Sequence, residues 1–351
     1  MESWYYMLRK PNLWIHTPAA VDGWSGEHFH STYPIDAPTM PKKKYLVWDL
    51  NRVEPKIMSN KMSYLLKNII KKYFAWMPLA LLAGCSQAQD NFGGLALYTV
   101  REDMGGQPQE TLAKVEAAGY AYVEAAGYQD GKFYGMAPGE FKAHLKSLGL
   151  EPVSSHQGTV TLGNADQQIA DVKAAGFTYF TIPVPPMGMF TYDQNTGMGM
   201  EGTVEDLARI LTELGKKCEA AGLQLLYHNH DFEFVANAQG VVPIDYLLEH
   251  TDPKYVNFQM DLFWVTKAGA DPLAYFGKYP GRFKSWHVKD MDGQGRFAPV
   301  GEGTIDFKKI LDQRGTSGME KYFVEQDTAF DKQPLEVIKI SHEGLKTFGF
   351  H

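Results

Sequence analysis

Residues 223–234 read LQLLYHNHDFEF, and behind the apolar run stand His228, His230, Asp231 and Glu233. Imidazoles and carboxylates this close together can pass protons near neutrality or hold a divalent cation. The pattern recurs along the chain. Glu124 lies in AYVEA, His156 closes EPVSSH, Asp261 lies in VNFQMDL, His287, Lys289 and Asp290 end FKSWHVKD, and Glu325 and Asp327 end KYFVEQD. Apolar neighbours bury these segments, and a charge there needs a partner or a metal to be tolerable. A single aspartate behind a strand is ordinarily a turn or cap residue, and a single histidine ordinarily a satisfied core residue. Four consecutive segments that each deliver Asp, Glu or His at the same end point instead to one shared site. A divalent metal ion suits this donor set, and Mn, Co, Mg, Fe and Zn all qualify.

A repeated unit must position these residues. From about Gly94, the phrases VEAAGY (115–120), LKSLGL (145–150), VKAAGF (172–177) and CEAAGL (218–223) each put a glycine after a helical run and an apolar residue after the glycine. A glycine past a helix end is the left-handed cap, and the apolar residue behind it opens the next strand. A second EAAGY, at 124–128, comes after YAYV and therefore belongs to a strand end and its loop. The spacing predicts strands over 94–100, 121–125, 151–156, 179–184, 223–230, 256–262, 283–290 and 321–327. Helices are expected near 107–118, 138–148, 165–175, 202–221, 243–250, 271–277, 305–313 and 333–347. Eight alternating units make this an α/β chain with a single (β/α)8 barrel, and no glycine-rich dinucleotide fingerprint stands after the first strand. In a barrel of that kind the strand C-termini converge on one pocket. The inserts GTVTLG and PPMGMFTYDQNTGMGMEG belong to the same face, as rims or lids.

Ahead of the barrel the sequence changes character. From Met62, MSYLLKNIIKKYFAWMPLALLAGCSQAQD sets three lysines before an apolar run and small residues before Cys85. This is the layout of a secretory signal peptide, too short to span a bilayer. LAGC at 82–85 resembles a bacterial lipobox, which implies lipidation of Cys85 and a cell-envelope location, periplasmic or at the outer membrane. The boundaries read as a non-native upstream extension (1–61), a lipoprotein signal peptide (62–84), a short linker (85–93) and the barrel (94–351). A net charge of −7 without a polybasic block argues against nucleic acid as a partner, and leaves the anchor as the route to a membrane. The only cysteines, Cys85 and Cys218, do not form a disulfide framework or a thiolate zinc site.

The segments LLYHNHDFEF, MDLFWVTKAGADP, SWHVKDMDG, PVGEGTIDF and FVEQD resemble the second half of the xylose isomerase-like TIM barrels grouped as sugar phosphate isomerases/epimerases. The resemblance extends from Gly94 to the C-terminus. It implies one divalent metal held from strands five to eight by Glu, Asp, His and Glu, of which the last three carry over to Asp261, His287 and Glu325. Strand five departs from the pattern, because HNH stands where ENH is frequent. His228, His230 or Glu233 is then the fourth ligand, with His228 favoured because it ends the apolar run. An imidazole in place of a carboxylate makes the site one unit more positive, a stronger Lewis acid, and leaves His230 facing the substrate.

Such a site implies removal of a proton next to a chelated carbonyl of a small sugar or keto-sugar. His230, Glu233 and Glu124 are the candidate bases, Lys289 the candidate proton donor, and His156, Trp264 and Asp290 the expected substrate contacts. Reprotonation on carbon gives isomerisation or epimerisation, the first expectation. Expulsion of a β-oxygen gives a keto-sugar or 3-keto-glycoside lyase or hydratase, the alternative favoured by His228 and the envelope. A lipid-anchored sugar-binding protein without catalysis is a third reading, set back by the complete ligand set. A DNA repair nuclease on the same barrel would want a larger set of metal ligands and a basic surface.

Overall fold

In the computed structural model, which describes residues 91–351, the buried apolar runs form the strands. These are β1 (Gly94–Ala96), β2 (Tyr122–Ala125), β3 (Glu151–His156), β4 (Tyr179–Ile182), β5 (Gln224–His228), β6 (Val256–Asp261), β7 (Phe283–Val288) and β8 (Lys321–Val324). Each pairs with its sequence neighbours and β8 returns to β1, closing one parallel barrel. Parallel neighbours require crossovers. Helices α1 (Pro108–Ala117), α2 (Pro138–Leu148), α3 (Ala165–Ala174), α4 (Val204–Ala221), α5 (Pro243–His250), α6 (Pro272–Lys278), α7 (Phe307–Leu311) and α8 (Pro334–Phe348) supply them. The expected (β/α)8 barrel is therefore the fold. The cap glycines behave as the repeat requires: Gly149 and Gly222 end α2 and α4 at φ 76° and 78°.

Several elements are shorter than the sequence pattern predicts. β1 stops at Ala96, and Leu97–Val100 form a 3-10 turn that is buried like a strand. β4 stops before Pro183, which has no N–H to give the ladder. β5 ends at His228, so Asn229 and His230 leave the sheet. Directly after β6 comes a short helix, Leu262–Lys267, that the pattern did not predict. The insert after β4 is a hairpin, Phe190–Asp193 with Gly197–Met200, and a smaller one after β7 pairs Asp290–Met291 with Phe297–Ala298. Both rise from the C-terminal ends of strands, as a rim.

Alternation along the strands divides the core in two. Phe180, Leu225, Tyr227, Phe258 and Trp286 join the helices in the main apolar cluster. A separate cluster of Ala96, Tyr122, Val153, Tyr179, Leu226 and Phe323 makes the barrel floor. Side chains two residues apart share a face, so Glu124, His228 and Glu325 stand one step above Tyr122, Leu226 and Phe323. Register shifts fall between Val123 and Glu124 on β2 and between Phe258 and Gln259 on β6. Irregularities of this kind re-aim the next side chain.

Among the described residues no helix is long and apolar enough to cross a membrane. The extension 1–61, the signal-peptide stretch and Cys85 lie outside the described residues.

Candidate active site

Asp261 ends β6 and caps the short helix behind it, its Oδ1 accepting the N–H groups of Phe263 and Trp264, each at 2.9 Å. That contact fixes the carboxylate and turns its other oxygen inward. Oδ2 is buried without a hydrogen bond, 3.4 Å from Lys289 Nζ and 3.8 Å from His287 Nδ1. The strand register sets Asp261 beside His287. Glu325, one residue past β8, brings Oε2 to 2.9 Å from both His287 Nδ1 and Lys289 Nζ. Donor atoms of Asp261, His287 and Glu325 thus lie within 4.8 Å of one another, as do those of His156, His228 and His287. His228 falls in the second trio and His287 joins the two.

Electrostatics reflect this crowding. Burial alone would lower the Lys289 amine, but Asp261, Asp327 and Glu325 outweigh it and hold the amine well above its ordinary range. Its shortest ion pair, 2.6 Å, is to Asp327 Oδ1, whose carboxyl burial lifts to about 6. Glu325 is held well below its ordinary range because Lys289 and His287 overcome its burial. A buried lysine therefore neutralises part of an acidic cluster.

Beneath lies a hydrogen-bonded polar layer. Glu124 Oε1 meets His287 Nε2 at 2.6 Å and His156 Nε2 at 3.0 Å. Glu124 Oε2 accepts from Gln259 Nε2 at 2.7 Å, and the same amide nitrogen lies 3.2 Å from Ser285 Oγ. Gln259 Oε1 is 3.0 Å from both His156 Nε2 and His228 Nδ1. The imidazoles of His156 and His287 overcome burial and hold Glu124 well below the usual carboxylate range.

The other sequence candidates divide into two groups. His230, drawn down to about 3 by burial and by Lys289, stands 4.9 Å from the His228 ring and 5.5 Å from Trp264. Trp264 and Phe297 flank the Lys289 ammonium at 5.3 and 5.1 Å. Glu233, a candidate base, is turned away to accept from the Tyr227 hydroxyl at 2.7 Å and the His230 amide at 2.8 Å. Asp290, expected on the substrate, has both oxygens engaged by the backbone N–H groups of Met291, Gly301, Gly303 and Ile305. It shapes the loop after β7. Sequence reasoning passed over Gln259 and also Asn229, whose Oδ1 accepts the Asp261 N–H at 3.1 Å.

The donors fit a divalent ion: two carboxylates and an imidazole converge, and one buried carboxylate oxygen lacks a hydrogen bond. His287 meets Glu124 through its second nitrogen, the arrangement that orients a ligating histidine.

A family model described as xylose isomerase-like TIM barrel matches residues 112–339. An inosose dehydratase of Lacticaseibacillus casei is 32% identical over 146 residues, 36% of this chain and 48% of that protein. The alignment thus spans about half the length of the curated relatives. A solved sugar phosphate isomerase/epimerase of Parabacteroides distasonis is 26% identical with a TM-score of 0.59, over 72% of this chain and 97% of that one. The IolI protein, solved with a bound zinc atom, shares the fold at 14% identity and a TM-score of 0.54, over 73% of this chain and 96% of that one.

Proposed function

Because the chain belongs to the xylose isomerase-like TIM barrel family, we propose that it is a divalent-metal-dependent enzyme that removes a proton beside the carbonyl of a small sugar or keto-sugar. The observation that carries this reading is the convergence of Asp261, His287 and Glu325, with Asp261 Oδ2 left without a hydrogen bond. Those three residues would hold the ion, with His228 as a fourth ligand. When bound, the ion supplies Lewis-acid polarisation of a substrate oxygen. His230, kept neutral and seated between His228 and Trp264, takes the proton from carbon. Lys289 stays an ammonium and offers an N–H to negative charge that develops on a substrate oxygen. Trp264 and His156 border the substrate, and Glu233 and Asp290 hold the loops around it.

Loss of a β-oxygen is the favoured outcome, because a relative is named inosose dehydratase and a cationic donor stands in the site. Return of the proton to carbon, giving isomerisation or epimerisation, is the second reading, favoured by the name of the Parabacteroides distasonis structure. The lysine, apolar and small-residue order before Cys85 supports an envelope location for this chemistry.

Metal analysis of the full chain tests the site. About one divalent ion per chain is expected, lost in Asp261→Ala and weakened in His228→Ala. A wild type that binds none sinks the reading. With inosose and 3-keto-glycosides in D2O, deuterium should enter beside the carbonyl, and loss of water or alcohol from the product distinguishes elimination from epimerisation.

A further inference from the structure

We propose that Glu124 is a positioning residue that sets which nitrogen of His287 and of His228 is left to face a metal; this rests on the proposed metal site of Asp261, His287 and Glu325. The inference comes from counting donors and acceptors. A carboxylate only accepts, so its neighbours must donate. Glu124 is wholly buried and has three polar partners: His287 Nε2 at 2.6 Å, His156 Nε2 at 3.0 Å and Gln259 Nε2 at 2.7 Å. His287 therefore keeps a hydrogen on Nε2, and Nδ1, which donates to Glu325 at 2.9 Å and faces Asp261, is the nitrogen that can exchange its hydrogen for a metal.

The second chain of consequence runs through Gln259. Its amide cannot be reversed, because the carbonyl oxygen would then oppose the Glu124 carboxylate, acceptor against acceptor. Gln259 Oε1 is thereby directed at His228 Nδ1, 3.0 Å away. A carbonyl oxygen accepts, so Nδ1 of His228 holds the hydrogen and Nε2 becomes its lone-pair nitrogen. One carboxylate on β2 thus dictates the tautomers of histidines on β5 and β7. The backbone carries an independent mark of this arrangement, since the two register shifts of the barrel immediately precede Glu124 and Gln259.

Chelator competition with Co2+ on the full chain, wild type against Glu124→Gln, tests the proposal. Removing the partner behind a ligating histidine is expected to weaken metal affinity about 10–100-fold. A wild type that takes up no Co2+ overturns the metal reading and this proposal together. A wild type that binds while Glu124→Gln stays within about twofold of it overturns the proposal alone. Side-chain 15N NMR of the metal-free wild type needs no variant to fold. His228 protonated on Nδ1 supports the proposal, and His228 protonated on Nε2 refutes it.

Discussion

Burial lifts the Glu233 carboxyl to about 8, even though the Tyr227 hydroxyl and the His230 amide donate to it. In the unfolded chain the group titrates near its ordinary 4.5, so across that interval the unfolded chain releases a proton that the folded chain keeps. Its contribution to stability is complete below the lower value and is lost as pH rises through the upper one. Glu233→Gln should therefore flatten the decline of the denaturation midpoint between about pH 5 and pH 8; parallel curves for variant and wild type would refute the assignment. The same scale explains what could be read from sequence. Asp261, His287 and Glu325 stood out as titratable residues at the ends of apolar runs. Gln259 carries no charge, and only its place two residues before Asp261 marks it as facing the same pocket. Glu124 was legible as a site residue but not as a partner of His287, because β2 and β7 meet only across the closed barrel.

Elements were legible where a cap coincided with a change of pattern. α2, α5 and β3 have the bounds that the sequence predicts, and α2 ends on the left-handed Gly149. Where apolar residues continued past a strand, the pattern overshot. Leu97–Val100 and Leu262–Lys267 are apolar enough to prolong β1 and β6, yet they wind into helical turns. In the second case Asp261 supplies the cap, so one residue ends the strand, starts the helix and presents the site oxygen. Helix α4 yields a prediction about packing. Alanine is the better helix former by about 1 kcal/mol, but a methyl on Gly215 would run into the Tyr255 carbonyl, backbone that cannot swing aside. Overpacking costs about 1–3 kcal/mol, so Gly215→Ala should lower thermal stability despite its propensity. An unchanged or raised melting temperature would show that α4 can shift away from the strand it covers.

At the scale of the molecule, eight units were countable because four glycine-capped helix ends set the rhythm of helix and strand, and closure comes from parallel pairing around the ring. The rim was not countable in the same way: its hairpins come from inserts without the repeat. Envelope anchoring is a whole-molecule property with its own test. Labelled palmitate should enter the chain expressed from Met62 in a bacterial host and be absent from its Cys85→Ala variant; label retained in that variant, or absent from both, counts against the anchor. The floor of Tyr122, Tyr179, Leu226 and Phe323 closes one pole of the barrel. The described chain enters at the floor, where the Phe92 amide bonds the Gly119 carbonyl, while the site opens at the opposite ends of the strands. The first described residues thus meet the barrel at its closed pole, away from Asp261, His287 and Glu325.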